Sequence, residues 1–161
     1  MMFEIIPAAE GDAEHLALII SEANRDVAQQ FDLNIRNAPK HPSFCTKAWV
    51  LSGFKRGEEY FLYKDGEVLA GCVAFEQPDN HTAYLNRLSV LPRYRHNGVG
   101  SALVRYVLDY SKTRNVQIVS IGIIADHELL KRWYSGLGFV DVSTRKFEHL
   151  PFDVKYMKYD L

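Results

Sequence analysis

LNRLSVLPRYRHNGVGSALV, residues Leu85–Val104, joins an apolar run to a helical stripe through a turn holding Arg93, Arg95, His96, Gly98 and Gly100. The run, TAYLNRLSVL from Thr82 to Leu91, reads as a β-strand closed by Pro92, which lacks the N–H a sheet ladder needs. Beyond the turn, Val99, Ala102, Leu103, Tyr106, Val107 and Tyr110 recur at three- and four-residue steps, so a helix begins near Gly98. The first amides of a helix have no internal acceptor and sit at the positive end of its dipole, so an anion such as a phosphate satisfies them. A side chain at Gly98 or Gly100 is expected to block that anion, and Arg95 to add charge-assisted hydrogen bonds from the rim.

The spacing narrows the ligand. A Walker loop needs Lys-Ser or Lys-Thr after its last glycine, and here Ser101-Ala102 follows Gly100. A dinucleotide fingerprint needs a small residue where Leu103 stands and an acidic ribose partner about twenty residues on. Neither pattern is met.

Around this segment the period alternates between strand and helix. Phe3 to Ile6 reads as a strand ended by Pro7, and Asp12 as the cap of a helix whose buried face is Ala13, Leu16, Ala17, Ile20 and Ala23. Residues 26–46 lose the rhythm and read as an irregular excursion, followed by a short helix at about Lys47–Phe54. EEYFLY and EVLAGCVAF flank Asp65-Gly66 and predict an antiparallel hairpin. Downstream, VQIVSIGII predicts a strand buried on both faces, and Asp126 a cap for a helix carrying Leu130, Trp133, Tyr134 and Leu137, stopped by Gly138. Two late strands, about Phe139–Phe147 and Phe152–Tyr159, close the chain. The order predicts an α/β fold, a mixed twisted sheet flanked by helices, as one domain over residues 1–161.

Composition limits the function classes. The chain has 161 residues, 47% hydrophobic and 24% charged, with a formal net charge of -1, which argues against a nucleic-acid binder. Locally the balance differs. Residues 1–40 carry seven acids against three bases, while residues 87–114 carry six bases against one acid, so any anion site is local to the middle. Cys45 and Cys72 make no metal-ligand spacing with the six histidines, and no metal is expected. No signal-peptide pattern or membrane span is read, so a reduced, cytoplasmic protein is expected.

Leu85–Val104, followed after one strand by LLKRWYSGLGF, resembles the GNAT superfamily of N-acetyltransferases, whose signature is Arg/Gln-x-x-Gly-x-Gly/Ala after a β-strand. The match is Arg95-His96-Asn97-Gly98-Val99-Gly100, and the resemblance covers about residues 60–140. It implies acetyl-coenzyme A as cofactor. The pyrophosphate is expected on the turn from Arg95 to Gly100, and the pantetheine on the main chain of Leu88, Ser89 and Val90. It also implies that Tyr134 protonates the leaving thiol, while His127 stands where relatives carry an asparagine that bonds the cofactor. Where some relatives place a glutamate on the strand, this chain has Tyr84, with Asn86 two residues on. His81, Glu76 or a water relay remain as the base.

The resemblance further implies that Asp32–Thr46 forms part of the acceptor pocket, with His41, Pro42, Ser43 and Phe44 its first candidates, although a proline-braced loop is the simpler account of those four. A homodimer through the aromatic tail Phe152, Tyr156 and Tyr159 is an expectation of the same kind. Two readings follow: transfer of acetyl to a primary amine, and a non-catalytic acetyl-coenzyme A sensor or partner-binding module of the same fold.

Overall fold

Alternate residues of the segment Glu59–Asp65 enter two different cores, because successive strand side chains point to opposite faces. Tyr60 and Leu62 pack among Ala13, Leu16, Ile20, Val50, Cys72 and Ala74, whereas Phe61 and Tyr63 pack among Val73, Phe75, Leu103, Val107 and Val119. The sheet therefore has a helical layer on each face. The computed structural model describes residues 3–161.

Seven strands form one mixed sheet in the order β1-β2-β3-β4-β5-β7-β6: β1 Phe3–Pro7, β2 Glu59–Asp65, β3 Val68–Glu76, β4 Thr82–Val90, β5 Ile118–Ile124, β6 Val140–Arg145 and β7 Val154–Asp160. Every neighbouring pair is antiparallel except β4 and β5, which are parallel. Helices α1 Ala13–Ala23 and α3 Lys47–Arg56 cover one face, and α4 Val99–Thr113 lies on the other. Two shorter helices, α2 Arg25–Gln30 and α5 Glu128–Gly136, complete the set. Among the described residues no helix is long and apolar enough to cross a membrane.

Several expectations need correction. Residues 26–46 contain α2 and a 3-10 turn at Pro42–Phe44; α2 buries only Ala28 and so shows no apolar stripe in sequence. His127, not Asp126, caps α5: its Nδ1 accepts from the Leu130 N–H at 3.4 Å. Asp12 does stand before α1, but its carboxylate accepts from the Ala9 N–H instead of capping the helix. β5 is not buried on both faces, since Ile118 and Ser120 are half-buried and Gly122 is exposed. Tyr156 and Tyr159 lie on β7, the strand between β5 and β6.

Leu103 on α4 is fully buried in the larger core. Leu103→Ala is expected to cost about 3 kcal/mol through lost burial and a residual cavity, read as a lower urea midpoint with unchanged slope.

Candidate functional site

The parallel pairing of β4 with β5 runs only through Thr82–Ile118, Ala83–Val119 and Tyr84–Ser120, and beyond it the strands part. On the other side of β4, Asn86 opposes Ala74 and Ser89 opposes Cys72, so Arg87 and Leu88 together face the single residue Val73. This is a β-bulge, and Arg87 adopts the left-handed region at φ 56° to make it. The Leu91 N–H donates to the Ala70 carbonyl at 2.9 Å, so Ser89, in phase with Leu91, points its main chain into β3. Leu88 and Val90, in the opposite phase, direct theirs to the open edge. The strand thus divides the three expected cofactor contacts. Ser89 is buried and its hydroxyl donates to the Arg87 carbonyl, while the Val90 carbonyl accepts from Arg95 Nε at 3.4 Å, so Leu88 and the Val90 N–H are what the open edge presents.

The turn after β4 ends at Gly98, the N-cap of α4, at φ 82°, a conformation for which glycine is the low-cost residue. His96 precedes it at φ 66°. Among the described residues, no acceptor within the protein takes the amides of His96, Asn97, Gly98, Val99, Gly100 or Ser101. A Cβ at Gly98 would meet nothing within 4 Å, so the turn is open on that side. These features fit an anion such as a pyrophosphate.

Two expectations about this turn are corrected. The Arg95 guanidinium does not project from the rim: it turns back to Asp26 at 2.6 Å and to the Ala23 carbonyl at 2.6 Å, tying the turn to α1 and α2. A Cβ on Gly100 would not stand before the amides either. It would meet the Trp133 ring at 3.2 Å, so Gly100 is the place where α5 packs against α4.

Tyr134 on α5 is 4% exposed, with its ring against Trp133 and Phe139 at centroid distances of 4.9 and 5.3 Å. Burial pushes its hydroxyl pKa far up, so the proton stays on oxygen throughout the physiological range. His127 has one ring nitrogen committed to the helix cap, and its ring lies 5.6 Å from Phe31. Burial lowers its pKa, keeping the imidazole neutral at neutral pH.

The loop after α2 spans the parting. Ala28, Leu33 and Ala38 pack on Ile124 at the end of β5, with Phe31 and Phe152 beside them. Asp32, Leu33, Asn34, Ser43 and Phe44 line a crevice of about 420 Å³ with Arg25, Ala28 and Gln29. His41 is buried, and its Nδ1 lies 2.8 Å from the Ser43 hydroxyl. Of the base candidates, His81 stands at the β5-paired end of β4, away from the bulge. Glu76 binds Arg56 at 3.3 Å and accepts from Asn86.

Sequence reasoning missed Asp26, Glu58 and Arg87. Glu58, with a side chain 1% exposed, accepts from the Tyr60 hydroxyl at 2.9 Å and from Asn86 at 3.0 Å, and faces Arg56 at 3.1 Å. Its place in an acidic pair opening a strand read as an ordinary strand start, and partners up to 28 residues away left no local signal.

Comparison with known proteins gives a consistent result. The model of the acetyltransferase (GNAT) family matches residues 22–139. The chain is 30% identical to human N-acetylaspartate synthetase over an alignment of 108 positions that covers 60% of this chain and 36% of the relative. The fold matches the PaiA N-acetyltransferase of Thermoplasma acidophilum in complex with coenzyme A, with a TM-score of 0.79 at 18% identity over 100% of both chains. It also matches a GNAT acetyltransferase of Elizabethkingia anophelis with acetyl-CoA bound, with a TM-score of 0.70 at 17% identity over 99% of this chain and 98% of that one.

Gly100→Val is expected to lower stability by about 1–3 kcal/mol through overpacking against Trp133. Adding Trp133→Ala should make the Gly100→Val step cheaper than in the wild type, which a double-mutant cycle of melting curves measures. The Arg95 hydrogen bond holds the Asp26 carboxyl below its ordinary 3.8, so this pair stabilises the fold above that pH and is lost as pH falls through the lower folded value. With both side chains partly in water the contribution is at most about 1 kcal/mol. Asp26→Asn should remove that slice of the acid dependence, read from urea midpoints at neutral and acid pH.

Proposed function

We propose, from the premise that the chain belongs to the acetyltransferase (GNAT) family, that it transfers an acetyl group from acetyl-CoA to a primary amine. The observation that carries this reading is the convergence of an open β4 edge with six unaccepted amides at the start of α4. Leu88 and Val90 would hold the pantetheine through main-chain groups, and His96, Asn97, Gly98, Val99 and Gly100 the pyrophosphate through their amides. Arg95 serves as a positioning residue, since its guanidinium fixes the turn against α2. When bound, acetyl-CoA supplies a thioester whose carbon–sulfur bond breaks as the carbon–nitrogen bond to the amine forms.

Tyr134 keeps its proton by burial. It is therefore present as an O–H donor for the departing sulfur, a role given by its place in the motif, since burial alone makes a hydroxyl a weaker acid. An alkyl ammonium has a pKa of about 10.4, so the amine must shed a proton before attack. Glu58 and Glu76 are held by Arg56 and Asn86, and His81 lies at the wrong end of β4, which favours the water relay among the candidates. His127 acts here as the cap that sets the start of α5, and through it the approach of Tyr134.

The chain spans about a third of the length of the N-acetylaspartate synthetases it matches, and their name places aspartate among the amines to be tried first. A single domain over residues 1–161 working in the cytoplasm completes the reading.

Tyr134→Phe is expected to cut turnover about 10²-fold, with little change in coenzyme A affinity and a stability loss near 1 kcal/mol. Equal turnover would refute the donor role. A wild type that binds acetyl-CoA by calorimetry yet consumes no thioester with any amine would favour the sensor. Gly98→Val should abolish coenzyme A binding, because a β-branched residue strained at positive φ would refold the turn that presents the amides.

A further inference from the structure

Arg87 is the residue whose backbone makes the β4 bulge, and its guanidinium is not held by any hydrogen bond within the described residues. A non-glycine residue in the left-handed region costs roughly 1–2 kcal/mol, and such strain persists where the surroundings impose it. The next residue, Leu88, faces the open edge. The Arg87 side chain leaves on the face covered by α1 and α3, where its charge bears on Tyr60 of β2 and on Cys45 at the end of the acceptor-side loop.

Glu58 is the nearest anion, with Oε1 3.8 Å from Arg87 Nε, beyond hydrogen-bond length. Glu58 does not need Arg87 to be satisfied, because Tyr60, Asn86 and Arg56 already meet its two oxygens. Arg56 in turn bridges Glu58 and Glu76 from a half-exposed position. The Arg87 guanidinium, 21% exposed, donates no hydrogen bond to any described residue. Five N–H donors in a planar fork, held beside a fixed buried carboxylate at the bulge and partly open to solvent, lack a hydrogen-bond acceptor.

We infer that Arg87 recognises the acceptor, selecting an amine that also carries a carboxylate group, the anion whose two oxygens match the guanidinium fork. This rests on the acetyltransferase reading. A dianionic phosphoryl group is the poorer match, since the cluster already holds two carboxylates against two guanidinium groups. A neutral carbonyl takes one fork N–H and leaves the rest unpaired. Glu58 is a positioning residue in this arrangement: it orients the fork from behind and touches no substrate.

The test uses matched pairs of acceptors with saturating acetyl-CoA: L-alanine with ethylamine, L-phenylalanine with phenethylamine, and L-aspartate with its dimethyl ester. The carboxylate member of at least one pair is expected to be acetylated with kcat/KM about 10–100-fold above its partner, the scale of a charge-assisted hydrogen-bond pair. In Arg87→Gln that ratio should collapse toward one, mainly through KM. Arg87→Lys, which keeps a cation beside Glu58 but loses the fork, should retain the fold and show an intermediate ratio. Coenzyme A titration calorimetry and a melting curve on each variant report that the cofactor cradle and the fold are intact. Equal wild-type rates within every pair, or an unchanged ratio in both variants, would overturn the recognition role while leaving the acetyltransferase standing. Coenzyme A binding without turnover of any member would overturn this inference, and the same result across a wide amine panel would overturn the acetyltransferase reading as well.

Discussion

Main-chain N–H and C=O groups must find partners or water, so a sheet that lets two interior strands part needs something to hold the gap. Here β4 and β5 separate after three paired residues. The bulge at Arg87 and Leu88 turns β4 away, and the loop packing of Leu33 and Ala38 on Ile124 spans the gap from the α1–α2 side. Opposite them, Trp133 sits against Gly100 and fixes α5 beside the start of α4. The gap leaves a free edge at Leu88 and Val90, orphan amides lie at the turn that follows, and Tyr134 lies on the helix that packs against that turn. Close the strands and all three lose their common space.

The parts legible in sequence were those set by local periodicity. The Asp65-Gly66 hairpin, the α4 stripe and the glycine turn follow from neighbours within a few residues, and the structure reproduces them. What escaped was long-range. Arg95 reads as an anion ligand because nothing near it is acidic, yet its partner Asp26 lies 69 residues away on a helix with no apolar stripe. Gly100 reads as a phosphate glycine for the same reason, whereas Trp133 is what requires it to be small. Asp126 has the right chemistry for a helix cap, and His127 takes the position because its ring nitrogen reaches the Leu130 N–H from the first turn.

Two acid–guanidinium contacts flank the cleft, and their surroundings give them different work. Asp26 with Arg95 is partly in water, where such a pair contributes little to stability but a short, two-pronged contact still fixes the direction of a side chain. It joins α2, which leads into the loop before α3, to the turn before α4.

Glu58 is the opposite case. A carboxylate this deeply buried costs several kcal/mol to desolvate, and an apolar replacement of similar shape often serves stability as well or better. The fold nevertheless builds itself around the charge: α3 approaches so closely at Gly53 that a Cβ there would collide with the Glu58 carboxylate and lie 2.7 Å from the Tyr60 hydroxyl. Tyr60, fully buried, spends its hydroxyl on the same group, and Asn86 divides its amide between Glu58 and Glu76. An arrangement in which helix, strand and side chains all conform to one anion serves direction more than stability. The direction it sets is that of the Arg87 guanidinium, beside the strand edge that the bulge leaves open.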